Sequence, residues 1–174
     1  RPYIAVIRKT LEPVFSDVML SRLRPEDPIV LVAAPVMVNG EYRGLVTGLI
    51  KFDRIHTLLE MYAAGPGVRY TLVDKSGRVI LTNREDQTPL SAFSMPAGRL
   101  SPLDGDLFQW VPDLAPGAST IDLWGKSFYV TRAPLSRTAQ WQLILEQPVL
   151  PFQKTLYRRY VTAFSLAFAI LITA

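Results

Sequence analysis

PIVLVAAPVMVNGEYRGLVTGLIKF, residues 28–52, predicts the central element of the fold. Residues 28–38 are apolar and rich in β-branched side chains, as in a strand with at least one buried face. Asn39-Gly40 is the dipeptide most typical of a two-residue hairpin turn, because both positions of a type I′ turn need a positive φ. Residues 42–52 then return to a β-rich composition. The run therefore predicts an antiparallel β-hairpin with two long strands.

Helical periodicity flanks this hairpin on both sides. Upstream, apolar residues follow Pro2 at helical spacing, so residues 1–11 predict a short helix. Downstream, Asp53 stands where a helix cap is expected, and apolar residues keep a 3.6-residue spacing as far as Tyr62. The Gly-Pro-Gly sequence at 65–67 breaks that pattern. We place the first module boundary there.

A further hairpin is predicted from residue 68 onward, so the order of elements begins again. Residues 68–74 and 78–82 predict two strands, because both are apolar and β-branched and a Lys-Ser-Gly turn separates them. Residues 83–117 are too long for a plain connector, so we expect a short helix there or a segment that lies over a face. Three further strands are predicted at 118–124, 126–133 and 141–147. Together these elements predict an α+β fold of two antiparallel-sheet modules.

The composition limits the kinds of function. Hydrophobic residues make up 49% of the 174 residues and charged residues 20%, which excludes a largely disordered chain. The net charge of +4 is spread along the chain, whereas nucleic-acid-binding proteins present a clustered basic face, so no nucleic-acid partner is expected. Cysteine is absent and histidine occurs once, which argues against thiolate and zinc sites. No cofactor and no metal site is predicted.

The sequence contains no recognisable arrangement of catalytic residues. Nucleophilic catalysis needs a Ser, Cys or similar group beside a base, and the chain has no Cys and one His. Gly-rich phosphate loops of the Walker or Rossmann type are also absent. The residues given are therefore interpreted as non-catalytic, and an enzymatic domain would have to follow residue 174.

The end of the chain has the pattern of a membrane helix. Residues 160–174 carry no charge and follow a segment that contains Lys154, Arg158 and Arg159. The uncharged run would be roughly 22 Å long, shorter than the ~30 Å hydrocarbon core, so we expect a truncated transmembrane helix that continues further. The alternative is a buried helix of a soluble domain, but the apolar residues surround the predicted helix and do not form one stripe.

Several pieces of the sequence resemble the Cache family of extracytoplasmic sensors. They are Arg1-Pro2-Tyr3, Ser16-Asp17, the hairpin at 28–46, LVDKSGRVI at 72–80 and WQLIL at 141–145. Their order is similar to that of the double Cache domain, which consists of two PAS-like modules. The resemblance implies that residues 1–64 are the C-terminal part of the membrane-distal module, which is incomplete at its N-terminus. Residues 65–150 would form the membrane-proximal module, and residues 151–174 the juxtamembrane and transmembrane helix.

The same resemblance implies a function. Cache domains belong to bacterial receptors, typically histidine kinases, chemoreceptors or cyclic-dinucleotide enzymes. We therefore expect a homodimeric receptor of the bacterial inner membrane, with its modules on the periplasmic or extracellular side. It would sense a small molecule and transmit binding through its membrane helix, and a sensor histidine kinase is the expected output.

Two residues match the amino-acid-binding version of the distal pocket. Arg1 and Tyr3 align with the arginine and the first aromatic residue that hold the ligand carboxylate, and a guanidinium matches a carboxylate bidentately. The resemblance places the groups that would receive the ligand ammonium at Ile4, Met19 and Leu49, and none of these is polar. We therefore expect a small organic carboxylate or another anion as ligand. The alternative is that Arg1 is solvated and that Tyr3 belongs to the core.

Other polar residues are weaker candidates. Ser16 and Asp17 follow a predicted turn and are candidates for lining the pocket, but such residues also bond to nearby backbone groups. His56 falls on the polar side of its predicted helix and is interpreted as a surface residue.

The basic residues before the predicted membrane helix support a different function. Lys154, Arg158 and Arg159 would face the cytoplasm under the positive-inside rule, whereas a Cache sensor needs this flank outside. The alternative is a cytoplasmic PAS-like binding or scaffolding module that is tethered by its C-terminal helix. Aromatic and basic residues also occur at membrane interfaces, which is compatible with either topology.

Overall fold

The computed structural model describes residues 2–21, 28–63, 65–113, 116–136 and 139–173. The elements up to the end of the second helix are α1 (Pro2–Thr10), β1 (Val14–Phe15), β2 (Met19–Leu20), β3 (Pro28–Val38), β4 (Glu41–Lys51) and α2 (Asp53–Tyr62). The elements that follow are β5 (Arg69–Val73), β6 (Val79–Thr82), β7 (Gly98–Asp104), β8 (Leu107–Pro112), α3 (Thr120–Lys126), β9 (Phe128–Ser136), β10 (Trp141–Pro148) and α4 (Val149–Thr173). The predicted combination of helices with antiparallel sheets is confirmed.

The hairpin of β3 and β4 forms as the sequence predicts. Asn39 and Gly40 have φ values of 52° and 81°, as the two central residues of a type I′ turn require. β1 and β2 pair with successive parts of β3, and β4 pairs with β3 in antiparallel register, so that β3 is the central strand of a four-stranded sheet. Phe52 lies outside β4 and is the N-cap residue of α2. The predicted cap, Asp53, is the first residue of that helix.

The chain forms two compact units. The first contains the residues up to Ser94 together with Arg132–Leu145, and the second contains Met95–Thr131 and the residues from Glu146 onward. In the first unit β6, β5, β10 and β9 are neighbours in that order, and in the second β9, β8 and β7 are neighbours. The division into modules at residue 65 remains a prediction from the sequence.

The main core of the first unit joins the four-stranded sheet to β5, β6 and β10. Trp141 lies at its centre, with the ring centroids of Phe15 and Phe52 at 5.9 and 5.7 Å. The buried residues of this cluster are Val18, Val30, Phe52, Leu72, Ile80, Ala139 and Trp141. Close packing of this kind couples the two sheets, because an interior at native density transmits small displacements.

Two predictions from the sequence are wrong. Residues 118–124 were predicted as a strand, but α3 occupies most of this segment. The helix begins at a capping box, in which Ser119 accepts a hydrogen bond from the Asp122 amide and Asp122 accepts one from the Ser119 amide. The segment 83–117, for which a short helix or a covering segment was expected, contains the antiparallel strands β7 and β8, joined by a turn at Gly105.

The long C-terminal helix was also predicted, but its membrane-spanning character is not found. α4 covers Val149–Thr173. Among the described residues, no helix combines the length and the apolar character that are needed to cross a membrane. The charges of Lys154, Arg158 and Arg159 occupy the first part of α4, which leaves only its second part uncharged.

Candidate functional site

One face of the four-stranded sheet collects the positions that the family resemblance singles out. Leu49 of β4 pairs with Leu31 of β3, and Met19 of β2 pairs with Ile29. Residues 29, 31 and 33 of β3 point to the same side because side chains alternate along a strand, and register partners share a side. Met19 and Leu49 therefore lie on one face, which we call the α1 face.

Helix α1 covers part of this face and brings Tyr3 to it. Tyr3 is 8% exposed and forms a buried cluster with Ile7 and Ala33, and Ile4 and Leu31 pack against the cluster. This packing fits the predicted alternative in which Tyr3 belongs to the core, and the structure thus places Tyr3, Ile4, Met19 and Leu49 on the same side of one sheet. Arg1 lies outside the described residues, so its assignment to the site remains a prediction.

The α1 face is apolar, with a cationic residue on one edge. Leu49 is 52% exposed, which leaves this part of the sheet accessible in the described residues. Lys51 pairs with Ile29 and so falls on the same side of the sheet. A ligand that binds here would place an apolar body against Leu31 and Leu49. An anionic group at the end of this face would find a cation at Lys51, which also lines a small pocket with Phe52 and His56.

Ser16 has a structural role at the edge of β3. Its hydroxyl donates to the Asp17 carbonyl at 2.8 Å and accepts from the Leu31 amide at 3.0 Å, and its own amide donates to the Leu31 carbonyl. The side chain therefore fixes the segment between β1 and β2 against the central strand.

Asp17 takes part in an ion-pair cluster with the turn between β5 and β6. Its carboxylate lies 3.4 Å from Lys75 Nζ and 3.7 Å from Arg78 Nη2. These contacts direct the Asp17 carboxylate toward the second hairpin, which is formed by β5 and β6, so the structure does not bring Asp17 together with Tyr3. These contacts do not test the prediction that Asp17 binds a ligand. They show that its carboxylate is paired with Lys75 and Arg78 within the fold.

Asp74 connects the same two segments through the backbone. Its buried carboxylate accepts hydrogen bonds from the amides of Ser76 at 2.8 Å, Arg78 at 2.9 Å and Val18 at 3.4 Å. The first two close the turn, and the third ties the residue next to Asp17 to it. The sequence reveals the Asp-x-x-Gly turn, but the bond to Val18 spans 56 residues of chain and depends on the folded structure.

The single histidine makes contacts that its predicted surface position did not indicate. The Tyr70 hydroxyl lies 2.8 Å from His56 Nδ1, and His56 Nε2 lies 3.2 Å from a Glu60 carboxylate oxygen. With the proton on Nε2, the hydroxyl donates to Nδ1 and the ring donates to Glu60. Burial, and secondarily the negative charge of Glu60, raise the pKa of the Tyr70 hydroxyl. The i,i+4 spacing of His56 and Glu60 can be read from the sequence, whereas the contact between His56 and Tyr70 cannot.

A buried arginine lines a second, polar cleft in the same unit. Arg84 donates to both carboxylate oxygens of Asp86, at 2.9 and 2.6 Å, and its guanidinium lies 6.0 Å from the centre of the Phe93 ring. The pKa of Asp86 is lowered, chiefly by these hydrogen bonds. The cleft, of about 520 Å³, also contains Arg69 and Glu85. Because the Arg84 charge is already paired, we regard this site as structural.

No protein-family model and no curated protein sequence match the chain. Solved structures do match it. The ligand-binding domain of the Pseudomonas aeruginosa PAO1 amino acid chemoreceptor PctB, in complex with L-arginine, has a TM-score of 0.61 at 14% identity, covering 98% of this chain and 66% of that one. The ligand-binding domain of the Pseudomonas fluorescens chemoreceptor CtaA, in complex with L-isoleucine, has a TM-score of 0.57 at 15% identity, covering 85% and 57%. The sensor domain of the V. cholerae histidine kinase DctB has a TM-score of 0.55 at 14% identity, covering 85% and 60%.

These likenesses establish the fold. The chain has the architecture of the ligand-binding and sensor domains of chemoreceptors and histidine kinases, so the Cache-type fold that the sequence resembles is confirmed. The chain spans less than two thirds of the length of each of these structures.

Proposed function

We propose that this chain is the small-molecule-sensing part of a bacterial signal-transduction receptor and acts on the extracytoplasmic side of the inner membrane. The observation that carries the proposal is the α1 face, where Tyr3, Met19 and Leu49 share one side of the sheet. These are the positions that the resemblance assigns to ligand binding. The proposal is supported by the fold shared with PctB, CtaA and DctB, which are ligand-binding or sensor domains.

The ligand we propose is a small organic carboxylate without a required ammonium group. The face offers apolar contact and a cation at Lys51, and the positions for ammonium recognition are occupied by Ile4, Met19 and Leu49. An ammonium ion placed there would gain no hydrogen-bond or charged partner from these three side chains. The PctB and CtaA complexes contain amino acids, so the proposal predicts a different preference for this chain.

Binding would reach the rest of the first unit through two contacts. The opposite side of β3 packs on the cluster around Trp141, and Asp74 ties the segment between β1 and β2 to the second hairpin. A ligand changes the balance of two arrangements only by its difference in affinity for them. We propose that the receptor is a homodimer whose output is a histidine kinase. The fold is shared with the histidine kinase DctB and equally with the chemoreceptors PctB and CtaA, so a chemoreceptor output is the alternative.

The ligand proposal is tested by thermal unfolding with a panel of carboxylates, amines and amino acids. The chain is extended upstream of Arg1 for this test, because the resemblance implies that part of the distal module precedes it. A ligand at 100 times its dissociation constant stabilises the folded state by about 2.7 kcal/mol, which shifts the melting temperature by several degrees. We expect carboxylates to give this shift and simple amines to give none.

A matched pair of variants identifies the face that binds. Leu49→Gln changes the α1 face, and Val46→Gln changes the other side of β4 at a residue of similar exposure, 59% against 52%. The shift should fall for Leu49→Gln and persist for Val46→Gln. Equal shifts in the two variants, or shifts given by amines alone, would contradict the proposed site and ligand.

The location is tested separately by protease access in spheroplasts that express the full receptor. Extracytoplasmic modules are cleaved by added protease before the membrane is broken. Protection until lysis would support the alternative of a tethered cytoplasmic module.

A further inference from the structure

Helices α3 and α4 enclose a groove in the second unit. Its volume is about 580 Å³, and its apolar lining is formed by Ile121, Trp124, Leu150 and Tyr157. Two cations, Lys154 and Arg158, line it from successive turns of α4. Ile121 is 67% exposed and Tyr157 is 63% exposed, so the described residues leave a large apolar and aromatic surface in contact with solvent.

The groove is held in shape by hydrogen bonds at both ends of α3. The capping box of Ser119 and Asp122 fixes the first turn of the helix. At its other end, the Ser127 hydroxyl donates to the Leu123 carbonyl at 2.6 Å, and the Ser127 carbonyl accepts from the Val149 amide at 3.0 Å. The last bond connects the end of α3 directly to the start of α4. The two walls are therefore positioned before any partner arrives.

The charge of the groove selects an anionic partner. Among the residues that the structure describes, its lining contains two cations and no carboxylate. Asp122, the acidic residue of α3, lies outside this lining, and its carboxylate accepts hydrogen bonds from the amide and the hydroxyl of Ser119. A second copy of the same groove would bring like charges together. A partner that combines anionic groups with apolar surface satisfies both the cations and the exposed apolar side chains.

We propose that the α3–α4 groove docks on an anionic phospholipid surface. Lys154 and Arg158 would contact lipid phosphates, while Ile121, Trp124 and Tyr157 enter the interfacial layer, where tryptophan and tyrosine are enriched. The apolar surface continues along the same helix, where Val161, Phe164 and Leu166 are all exposed. This inference rests on the proposed function for the location of the second unit beside the bacterial membrane.

The test measures quenching of tryptophan fluorescence by vesicles with brominated acyl chains. Trp124 is partly exposed, whereas Trp110 and Trp141 are each only 7% exposed, so Trp124 should supply most of the quenched signal. The full chain is mixed with phosphatidylglycerol–phosphatidylcholine vesicles and, for comparison, with phosphatidylcholine alone. We expect quenching by the anionic vesicles that Trp124→Phe removes.

Two double variants test the role of the groove cations. Lys154→Gln with Arg158→Gln should weaken partitioning into anionic vesicles by roughly thirtyfold, since each cation near such a surface contributes a factor of about five. Arg8→Gln with Lys9→Gln removes the same charge from α1 and should leave partitioning within about twofold of the unchanged chain. Equal quenching of Trp124 by neutral vesicles, or equal losses in the two double variants, would overturn the proposal.

The ligand assay separates this inference from the proposed function. The groove variants should keep the carboxylate-dependent thermal shift, because the α1 face lies in the first unit. If anionic and neutral vesicles quench Trp124 equally while the carboxylate still raises the melting temperature, only the docking on a lipid surface is rejected. If only anionic vesicles quench Trp124 and no carboxylate raises the melting temperature, the proposed ligand is rejected and the lipid-docking role of the groove is retained.

Discussion

The two sides of the four-stranded sheet differ in what packs on them. On one side Val30 and Ile50 pack with Trp141 and the second hairpin in the main core of the first unit. On the α1 face the described residues provide one short helix, α1, as cover, and Leu49 remains half exposed. A strand alternates its side chains, so one sequence can build both sides. The difference suggests that one side supplies stability and coupling while the other is available to a ligand.

Truncating the central tryptophan should lower the free energy of unfolding more than any other change considered for the two sides of the sheet. Trp141→Ala removes the ring that contacts Phe15 and Phe52, and we expect the free energy of unfolding to fall by about 3–5 kcal/mol. Leu49→Ala, on the other side of the sheet, should change it by less than about 1 kcal/mol. Urea titrations followed by circular dichroism measure both. Comparable losses would show that the two sides contribute equally to stability.

The buried carboxylate beside the core should give the next largest effect. Asp74→Asn keeps the shape of the side chain but weakens three hydrogen bonds from backbone amides, which should cost about 2 kcal/mol of unfolding free energy. Asp17→Asn removes only partly exposed ion pairs and should cost less than about 1 kcal/mol. The same urea titrations provide the measurement. If Asp17→Asn proved the more damaging, the backbone connection would not be the dominant link.

A carboxylate at position 49 should change the ligand specificity of the α1 face. Leu49→Asp places a carboxylate where the family resemblance expects the ammonium partner, and amino acids should gain at least about tenfold in affinity relative to their deaminated analogues. Isothermal titration with paired ligands gives the ratio. Val46→Asp puts the same charge on the other side of β4 and should leave the ratio unchanged. A similar gain in both variants would indicate a general charge effect.

The smallest expected effect lies outside both sides of the sheet, at the pair of Arg84 and Asp86. The pKa of Asp86 is lowered in the folded chain, so its contribution to stability is present above the ordinary carboxyl pKa of about 3.9 and is lost as the pH falls below it. The Asp86 side chain is more than half exposed, so we expect less than about 1 kcal/mol.

The acid dependence can be isolated with a neighbouring carboxylate as control. Between pH 6 and pH 3, Asp86→Asn should lose less stability than the unchanged chain, and Glu85→Gln should follow the unchanged chain. Identical pH profiles for Asp86→Asn and the unchanged chain would exclude a stabilising role of this ion pair.

Local signals in the sequence predicted the elements with strong turns. The β3–β4 hairpin follows from Asn39-Gly40 and the apolar runs beside it, and the β5–β6 hairpin follows from its turn at residues 75–77. Residues 118–124 were misread because Thr120 and Ile121 favour a strand, whereas the capping box of Ser119 and Asp122 decides for a helix. β7 and β8 were missed because Pro and Ser interrupt the apolar alternation that marks a strand.

The candidate site was predictable only in part. The resemblance indicated Tyr3, Met19 and Leu49. Strand register places Met19 and Leu49 on one face, and the packing of α1 on Ala33 brings Tyr3 to it. The contacts of Ser16 with Leu31 and of Asp17 with Lys75 join residues far apart in the chain, so no local pattern reveals them. The same holds for the bond between His56 and Tyr70, which forms between a helix and a strand.

Methyl NMR shows whether the α1 face binds the ligand. Chain extended upstream of Arg1 and labelled at Leu and Val methyl groups is titrated with the carboxylate that gives the largest thermal shift. We expect saturable shift changes at Leu31 and Leu49, with much smaller changes at Val32 and Val46 on the other side of the sheet. Changes centred on Val32 and Val46, with Leu31 and Leu49 unaffected at saturation, would contradict binding at the α1 face.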